Sequence, residues 1–166
     1  MKRNIFLVGA ICLILTLGAY AYAAEMFGAR GAQETADPTL EEMLTYAIQD
    51  EYLARAEYYF IIDKYGSIRP FSNIVQSEEQ HVSMLEPLFT KYGFAVPKDT
   101  AKEHLIVPDD MKVALETCVK AEVDNIAMYE SFLAKSLPDD VRVVFESLKN
   151  ASGNHLEAFR NALSRY

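Results

Sequence analysis

Five acidic and imidazole side chains stand at positions where the helical pattern of the chain requires apolar residues. They come from four separate segments and are Glu51, Glu78, His81, Glu122 and His155. Moving a charged group out of water costs several kcal/mol unless the group is paired or binds a metal. A shared metal site accounts for all five positions at once, so we predict that the four segments converge on bound metal ions.

The strongest local pattern is the pair Glu78 and His81. The two residues are three apart, so in a helix both side chains leave the same face, here the apolar face between Val75 and Val82. In four-helix proteins that hold two iron or manganese ions, such a Glu-x-x-His pair supplies a carboxylate that bridges the metals and an imidazole that completes the coordination. The spacing is also common by chance, so the interpretation depends on the partners.

The partners are Glu51, Glu122 and His155, each of which interrupts the apolar stripe of its own segment. Taken singly, a glutamate in such a stripe is usually a boundary residue whose carboxylate reaches water, and a histidine is usually a hydrogen-bonded core residue. Taken together, the five positions favour a metal site. Boundary placement and polar packing are the alternatives.

Four long helices carry these residues in our prediction. Apolar residues recur every three or four positions, and no strand pattern competes, so the predicted fold class is all-α. The helices are predicted over about residues 39–65 and 70–92, and in two further segments that open with Pro108-Asp109-Asp110 and Pro138-Asp139-Asp140.

The connections predict the topology. Residues 66–69 and 136–137 form short connections, which makes helices 1 and 2, and helices 3 and 4, antiparallel hairpins. The segment 93–107 is long enough, when extended, to cross the full height of a bundle. We therefore expect a ferritin-like antiparallel four-helix bundle with a long crossover between helices 2 and 3.

Height along the bundle tests whether the candidate ligands meet. Glu122 and His155 lie at nearly equal distances from the turn between their helices, within ~3 Å of one level at a rise of 1.5 Å per residue. Glu51 lies farther from its turn than Glu78, a mismatch of ~10 Å unless the connection climbs back along the bundle. Glu57 fits the level of Glu78 better and is the reserve ligand.

The N-terminal segment is expected to direct export. Lys2 and Arg3 precede an apolar run followed by small residues, so we interpret residues 1–24 as a signal peptide, with an uncleaved membrane anchor as the alternative. We expect a periplasmic, cell-envelope or extracellular protein. Residues 25–37 are predicted to be a flexible tether, and residues 38–166 the folded domain.

The charge and the cysteine content exclude several classes of function. The net charge of -8 argues against nucleic acid and anionic membrane surfaces as partners. Contact with a membrane is expected only through an uncleaved N-terminal segment. Outside that segment Cys118 is the single cysteine, so neither an internal disulfide nor a rubredoxin-type iron centre can form within this chain.

At these residues the chain resembles the ferritin-like superfamily. Its motif Glu51-x-x-Ala54-Arg55-x-x-Tyr58 resembles the first-helix ligand motif of rubrerythrins, and Glu78-x-x-His81 resembles their second-helix motif, which favours Glu51 over Glu57. The closer resemblance, over about residues 40–163, is to domain-of-unknown-function family 2202. It rests on the segments Asp50-Glu51-Tyr52-Leu53-Ala54-Arg55, Phe71-Ser72-Asn73-Ile74, Ser77-Glu78-x-x-His81 and Ser152-Gly153-Asn154-His155-Leu156-x-x-Phe159.

One position departs from the di-iron pattern of that superfamily. A complete site would have a glutamate three residues before His155, where this chain has Ser152. The resemblance therefore implies the five ligands named at the outset, with one coordination side open to water, oxygen or peroxide. The expected supporting or reserve groups around them are Glu57, Tyr58, Ser152 and Asn154.

The sequence supports two functional hypotheses. The first is an exported protein with a dinuclear non-haem metal centre that acts in iron handling or as a ferroxidase- or peroxidase-like oxidoreductase on oxygen or peroxide. Two iron ions are the preferred occupants, with manganese or zinc as alternatives. The second is a non-catalytic envelope bundle that binds a single metal ion or none and serves as a scaffold or in metal sequestration.

Overall fold

The computed structural model describes residues 26–166, which are helical throughout their regular parts and contain no strand. This confirms the predicted all-α class. The four long predicted helices begin and end close to the expected residues, and a short fifth helix precedes them. The helices are α1 (Gly28–Glu34), α2 (Leu40–Tyr65), α3 (Phe71–Tyr92), α4 (Met111–Leu133) and α5 (Asp139–Leu163), with a 3-10 turn at Ala101–Glu103.

Side-chain caps begin two of the long helices where the sequence predicts them. Thr39 Oγ1 accepts a hydrogen bond from the Glu42 amide at 3.3 Å, and the Glu42 carboxylate accepts one from the Thr39 amide at 2.8 Å. Asp110 caps α4 by accepting an amide hydrogen bond at 2.9 Å. At α5 the same Pro-Asp-Asp motif gives no side-chain cap. Asp140 lies within the helix, and its carboxylate accepts hydrogen bonds from α3.

The long helices enclose a common interior. The most extensive contacts are between α2 and α3 and between α4 and α5, while α2 also packs against α4 and α3 against α5. Each pair is antiparallel, since residues near the end of one helix meet residues near the start of the next: Tyr58 contacts Phe71, and Phe132 contacts Phe145. The short connections predicted between these helices are therefore confirmed.

The interior is divided into two apolar clusters with a polar layer between them. One cluster includes Leu44, Ile48, Leu85, Phe89, Phe132 and Phe145. The other includes Tyr58, Ile61, Phe71, Leu115 and Phe159. Along each long helix the predicted ligands lie between members of the two clusters, so apolar packing closes the polar layer at both ends.

The connection between α2 and α3 climbs back along the helices and removes the height mismatch. The Phe71 ring, at the first residue of α3, packs on Tyr58 with ring centroids 6.0 Å apart. Because Tyr58 lies about two turns before the end of α2, α3 starts ~10 Å back from that end. Glu51 is seven residues before Tyr58, and Glu78 is seven after Phe71, which places both glutamates at one level.

The long connection between α3 and α4 follows α2. Asp99 accepts a hydrogen bond from Arg55 in the middle of α2 at 2.8 Å, and the Pro108 carbonyl accepts one from Lys64 near the end of α2 at 2.9 Å. Within this segment His104 is half-buried and stacks on Phe27, with centroids 3.9 Å apart. The segment therefore follows α2 from its middle to its end.

The expectation of a flexible tether over residues 25–37 differs from the structure. Residues 28–34 form α1, which packs against α2 and α4 and buries Phe27, Ala29 and Ala32. Gly31 lies so close to Tyr46 that an added Cβ would be 2.7 Å from the ring. Periodicity did not reveal this helix because it is short and packs through small residues.

The predicted signal peptide, residues 1–24, lies outside the described residues. Within residues 26–166 no helix is long and apolar enough to cross a membrane.

Candidate metal centre

All five predicted ligands lie in the polar layer. Glu51 comes from α2, Glu78 and His81 from α3, Glu122 from α4, and His155 from α5. None of the five is more than 7 % exposed. The apolar periodicity of each helix forces this placement, because the residues on either side of each ligand in the stripe belong to the buried clusters.

The five residues form two overlapping triads. One triad is Glu51, Glu78 and His81; the other is Glu78, Glu122 and His155. In each triad one potential ligand atom per residue lies within 4.8 Å of the others. Glu78 belongs to both triads through different oxygens, since Oε2 lies 2.8 Å from His81 Nδ1 and Oε1 lies 3.1 Å from His155 Nδ1. It is therefore positioned to bridge two ions.

The first triad is held by hydrogen bonds on both sides. His81 Nδ1 lies 2.9 Å from Glu51 Oε2, and His81 Nε2 lies 3.0 Å from the Ser77 hydroxyl. The other oxygen of Glu51 accepts a hydrogen bond from the Tyr129 hydroxyl at 2.6 Å. Such contacts fix the orientation of a ligand before a metal arrives.

The second triad has the same kind of support. His155 Nδ1 lies 3.5 Å from Glu122 Oε1, and the Tyr58 hydroxyl donates to that oxygen at 2.8 Å. Tyr58, a supporting group in the sequence analysis, thus contacts a candidate ligand directly. The imidazole rings of His81 and His155 stack with centroids 5.6 Å apart, so the two triads are adjacent.

The two halves of the site repeat one pattern. In α2 and in α4 a glutamate is followed seven residues later by a tyrosine, as Glu51 by Tyr58 and Glu122 by Tyr129. Each tyrosine donates its hydrogen bond to the glutamate of the other helix. Each half also has a histidine, and the histidines of the two halves are preceded three residues earlier by Glu78 and by Ser152, respectively.

Comparison with known sequences places the chain in a family. Residues 41–165 match the family described as an uncharacterized protein domain, DUF2202.

The chain belongs to the DUF2202 family.

The matched range contains all five residues of the triads and excludes α1.

Two further comparisons lead to one relative. The uncharacterized protein MJ0754 of Methanocaldococcus jannaschii is 28% identical over 135 residues, which cover 71% of each chain. The crystal structure of the hypothetical protein MJ0754 from Methanococcus jannaschii DSM 2661 is similar to this fold with a TM-score of 0.69 at 25% identity, covering 80% of this chain and 85% of that one. The helical architecture of this DUF2202 chain is therefore shared with a solved structure.

Ser152 takes part in a hydrogen-bonded network that sequence analysis missed. Its hydroxyl lies 2.6 Å from Asn125 Oδ1, and the Asn125 amide group donates to Asp50 Oδ2 at 2.6 Å. Asp50 also accepts from the Ala29 amide of α1 at 2.7 Å. The position that would carry a sixth ligand is thus linked to the first helix. The signal for Asn125 was its place one turn after Glu122 on the same helical face.

The other two candidates from the sequence, Asn154 and Glu57, differ in their positions. Asn154 is exposed on α5 and does not belong to the polar layer. Glu57 is buried but stands outside both triads, so it does not replace Glu51. It lines a cavity of about 50 Å³ that also borders Glu78, Glu122 and Ser152. A space of this size is sufficient for a few water molecules.

The carboxylates and imidazoles of the triads shift one another's pKa values. Burial acts to lower the pKa of both histidines, but the neighbouring carboxylates outweigh it and raise the pKa of His81 to about 10 and that of His155 to about 9. Burial also acts to raise the pKa of Glu78, but hydrogen bonds from His155 and His81 outweigh it and lower this pKa. Without metal, the layer therefore holds protonated imidazoles around an ionised Glu78.

The other carboxyl groups in and beside the layer respond mainly to desolvation. Burial raises the pKa of Glu51, and it raises that of Asp50 to about 6 and that of Glu57 to about 7. Bound cations would reverse this effect, since a nearby positive charge favours the ionised form. The layer thus concentrates acids whose ionisation is costly until positive charge is supplied.

The donor set fits divalent transition metals. Carboxylates suit hard ions such as manganese, and imidazoles suit iron and zinc, so a mixed set of both accommodates any of the three. The single thiol of the described residues, Cys118, is buried among apolar side chains and belongs to neither triad. The site therefore does not have the thiolate character of a structural zinc or iron–sulfur centre.

Proposed function

We propose that this protein is a ferritin-like four-helix bundle that binds two divalent metal ions, iron by preference, between α2, α3, α4 and α5. The proposal rests on the two triads that share Glu78. Each triad has one histidine and one glutamate that it does not share, Glu51 or Glu122, and we call these two the terminal glutamates. A bridging carboxylate reduces the repulsion between two cations held close together. Manganese and zinc are the alternatives to iron.

The bound ions would supply redox chemistry toward dioxygen or peroxide. The surrounding residues define the conditions for it. Tyr58 and Tyr129 hold the terminal glutamates in place through short hydrogen bonds. The two apolar clusters limit water access along the helix axis, while the cavity beside Glu78 leaves space for a small molecule. We assign the protein to iron handling or to ferroxidase- or peroxidase-like reduction.

Export is part of the same proposal. The basic residues Lys2 and Arg3, followed by an apolar run, support a signal peptide or an uncleaved anchor. In either form the folded domain would act in the periplasm, at the cell envelope or outside the cell. Oxidation of Fe²⁺ takes its electrons from the iron and passes them to dioxygen or peroxide. Continued removal of peroxide would instead need an electron donor, either another protein or a small molecule, because the single cysteine of residues 26–166 cannot form a cysteine-ligated iron centre.

A second candidate function is favoured by one observation. Every fully buried polar side-chain atom in residues 26–166 already has a hydrogen-bond partner. The fold does not need metal to satisfy its interior, which is compatible with a scaffold, or with a sequestering protein that binds one ion or none.

Metal analysis of the purified mature protein tests the proposal. We expect two ions per chain after reconstitution with Fe²⁺ under anaerobic conditions. Glu78→Ala should remove both, since Glu78 belongs to both triads, while circular dichroism shows that the protein remains helical. Glu86→Ala, which removes an exposed glutamate of the same helix, is the matched control and should keep both ions. Unchanged occupancy in Glu78→Ala would exclude the proposed ligand set.

A further inference from the structure

Glu57 is buried without a partner. Its residue is 9 % exposed, and among residues 26–166 it makes no hydrogen bond or ion pair. The neighbouring carboxylates Asp50 and Glu51, by contrast, each accept hydrogen bonds. Since no fully buried polar side-chain atom of residues 26–166 lacks a partner, the oxygens of Glu57 are open to the cavity that this residue lines and are free to accept a ligand there. Packing gives no reason for a carboxylate here, because an apolar side chain of similar size would fill the same volume.

The cavity that Glu57 lines reaches the polar layer. It is bordered by Glu78 and Glu122 from the triads and by Ser152. Ser152 stands three residues before His155, as Glu78 stands three before His81. The missing group is therefore the counterpart of the bridging carboxylate. Glu57 is the unpaired carboxylate on the side where that second bridge would be.

The charge balance of the proposed metal pair also favours a fourth carboxylate ligand. Glu51, Glu78 and Glu122 bring three negative charges to two divalent ions, which leaves net positive charge in a buried layer. A single bridging carboxylate also leaves much of the repulsion between the ions uncompensated. A fourth carboxylate that can turn into the cavity would reduce both. Asp50 also lines the cavity but is occupied by the Ala29 amide and by Asn125.

We propose that Glu57 is the fourth carboxylate ligand of the metal pair, and that it turns into the cavity to replace the bridging group missing at Ser152. This inference rests on the dinuclear centre proposed above. Glu57 would then act in addition to Glu51 and not as its substitute. The side chain must change rotamer to reach the ions, and the cavity gives it space to do so.

Anaerobic calorimetric titration with Fe²⁺ tests the proposal in three proteins: the wild type, Glu57→Gln and Asp50→Asn. Both substitutions remove one carboxylate that lines the same cavity, but only the first removes an unpaired one. We expect Glu57→Gln to bind the second ion at least about tenfold more weakly while the first ion is much less affected. Asp50→Asn should bind both ions with less than half of that loss on a logarithmic scale.

Several outcomes distinguish the alternatives. Two ions bound with wild-type affinity in Glu57→Gln would overturn the inference, as would an equal loss in Asp50→Asn, since the effect would then be long-range electrostatics. A wild type that binds fewer than two ions would instead overturn the dinuclear centre, and the inference with it.

A second variant separates metal binding from a structural role. Glu57→Met keeps a side chain of similar length without the carboxylate. We expect it to lose the second ion as Glu57→Gln does, while the thermal midpoint of the metal-free protein stays equal to that of the wild type or rises. A clearly lowered midpoint with both ions retained would show that Glu57 serves the fold and not the metal pair.

Discussion

The two halves of the polar layer differ at one candidate ligand position. The half formed by α2 and α3 has Glu51 and the pair Glu78 and His81, and the half formed by α4 and α5 has Glu122 and His155 with Ser152 in place of a glutamate. Both halves retain the tyrosine hydrogen bond to the terminal glutamate. The tyrosine contact is therefore the same in both halves, although only one half has a glutamate three residues before its histidine.

The side chain of Ser152 is held in a hydrogen-bonded network. Ser152 is hydrogen-bonded to Asn125, which continues to Asp50 and α1, so this side of the layer is occupied by a neutral or fully bonded network. The residue of α2 that corresponds to Asn125 is Ala54, since each stands three residues after a terminal glutamate. Its small side chain borders the cavity. The two halves of the layer thus differ mainly in the residues that border the cavity.

The histidines provide the strongest test of the comparison between halves. We expect His81→Ala and His155→Ala each to lose one of the two ions, with an affinity at the affected half at least about 100-fold lower, because each histidine belongs to one triad only. Calorimetry and metal analysis measure this. His104→Ala removes a histidine that stacks on Phe27 outside the layer, and it should keep both ions. If either triad variant loses both ions or neither, the halves are not independent.

The tyrosines test whether the two halves are equally supported. Tyr58→Phe and Tyr129→Phe each leave a buried carboxylate oxygen without its hydroxyl donor, which we expect to lower the free energy of unfolding of the metal-free protein by ~1–3 kcal/mol. Urea unfolding in the presence of a chelator measures this. Tyr59→Phe, at a residue that is 48% exposed, is the control and should change stability by less than about 0.5 kcal/mol. Changes below about 0.5 kcal/mol in Tyr58→Phe and Tyr129→Phe would mean that the glutamates gain nothing from their buried donors.

The dependence on pH gives the smallest expected effect. In the metal-free protein the pKa values of His81 and His155 are raised to about 10 and about 9, above the ordinary value of 6.5. Their contribution to stability is therefore fully present below about pH 6.5 and is lost as the pH rises through 9 and 10. The thermal midpoint in chelator should fall over that range. Metal affinity should rise over it, since binding displaces these protons. A metal-free midpoint that increases from pH 6.5 to pH 9.5 would contradict this account.

The helices and the buried layer were predictable because they depend on local patterns. Capping residues and apolar periodicity fix the ends and the inward faces of α2 and α4, and the ligands interrupt those faces. The relative height of Glu51 and Glu78 was not predictable, because it depends on how the connection after Tyr65 returns along the helices. That path leaves no pattern in the sequence, and only the resemblance to known motifs favoured Glu51 over Glu57.

Two other features depend on tertiary contacts that leave little trace in the sequence. Helix α1 was expected to be a flexible tether because its residues are small and show no stripe, yet close packing on α2 and α4 requires small residues. Asn125 was missed because a single amide in a helix is usually a surface residue. Its role is visible only when Asp50 and Ser152 are known to lie on either side of it.

The central claim is that the two triads hold a metal pair bridged by Glu78. Anomalous diffraction at the iron edge from crystals of the Fe²⁺-loaded protein tests it most directly. The account predicts two peaks about 3.5–4 Å apart, one beside Glu51 and His81 and the other beside Glu122 and His155, with Glu78 between them. A loaded crystal with no peak in this layer, or with its peaks elsewhere in the protein, would contradict it.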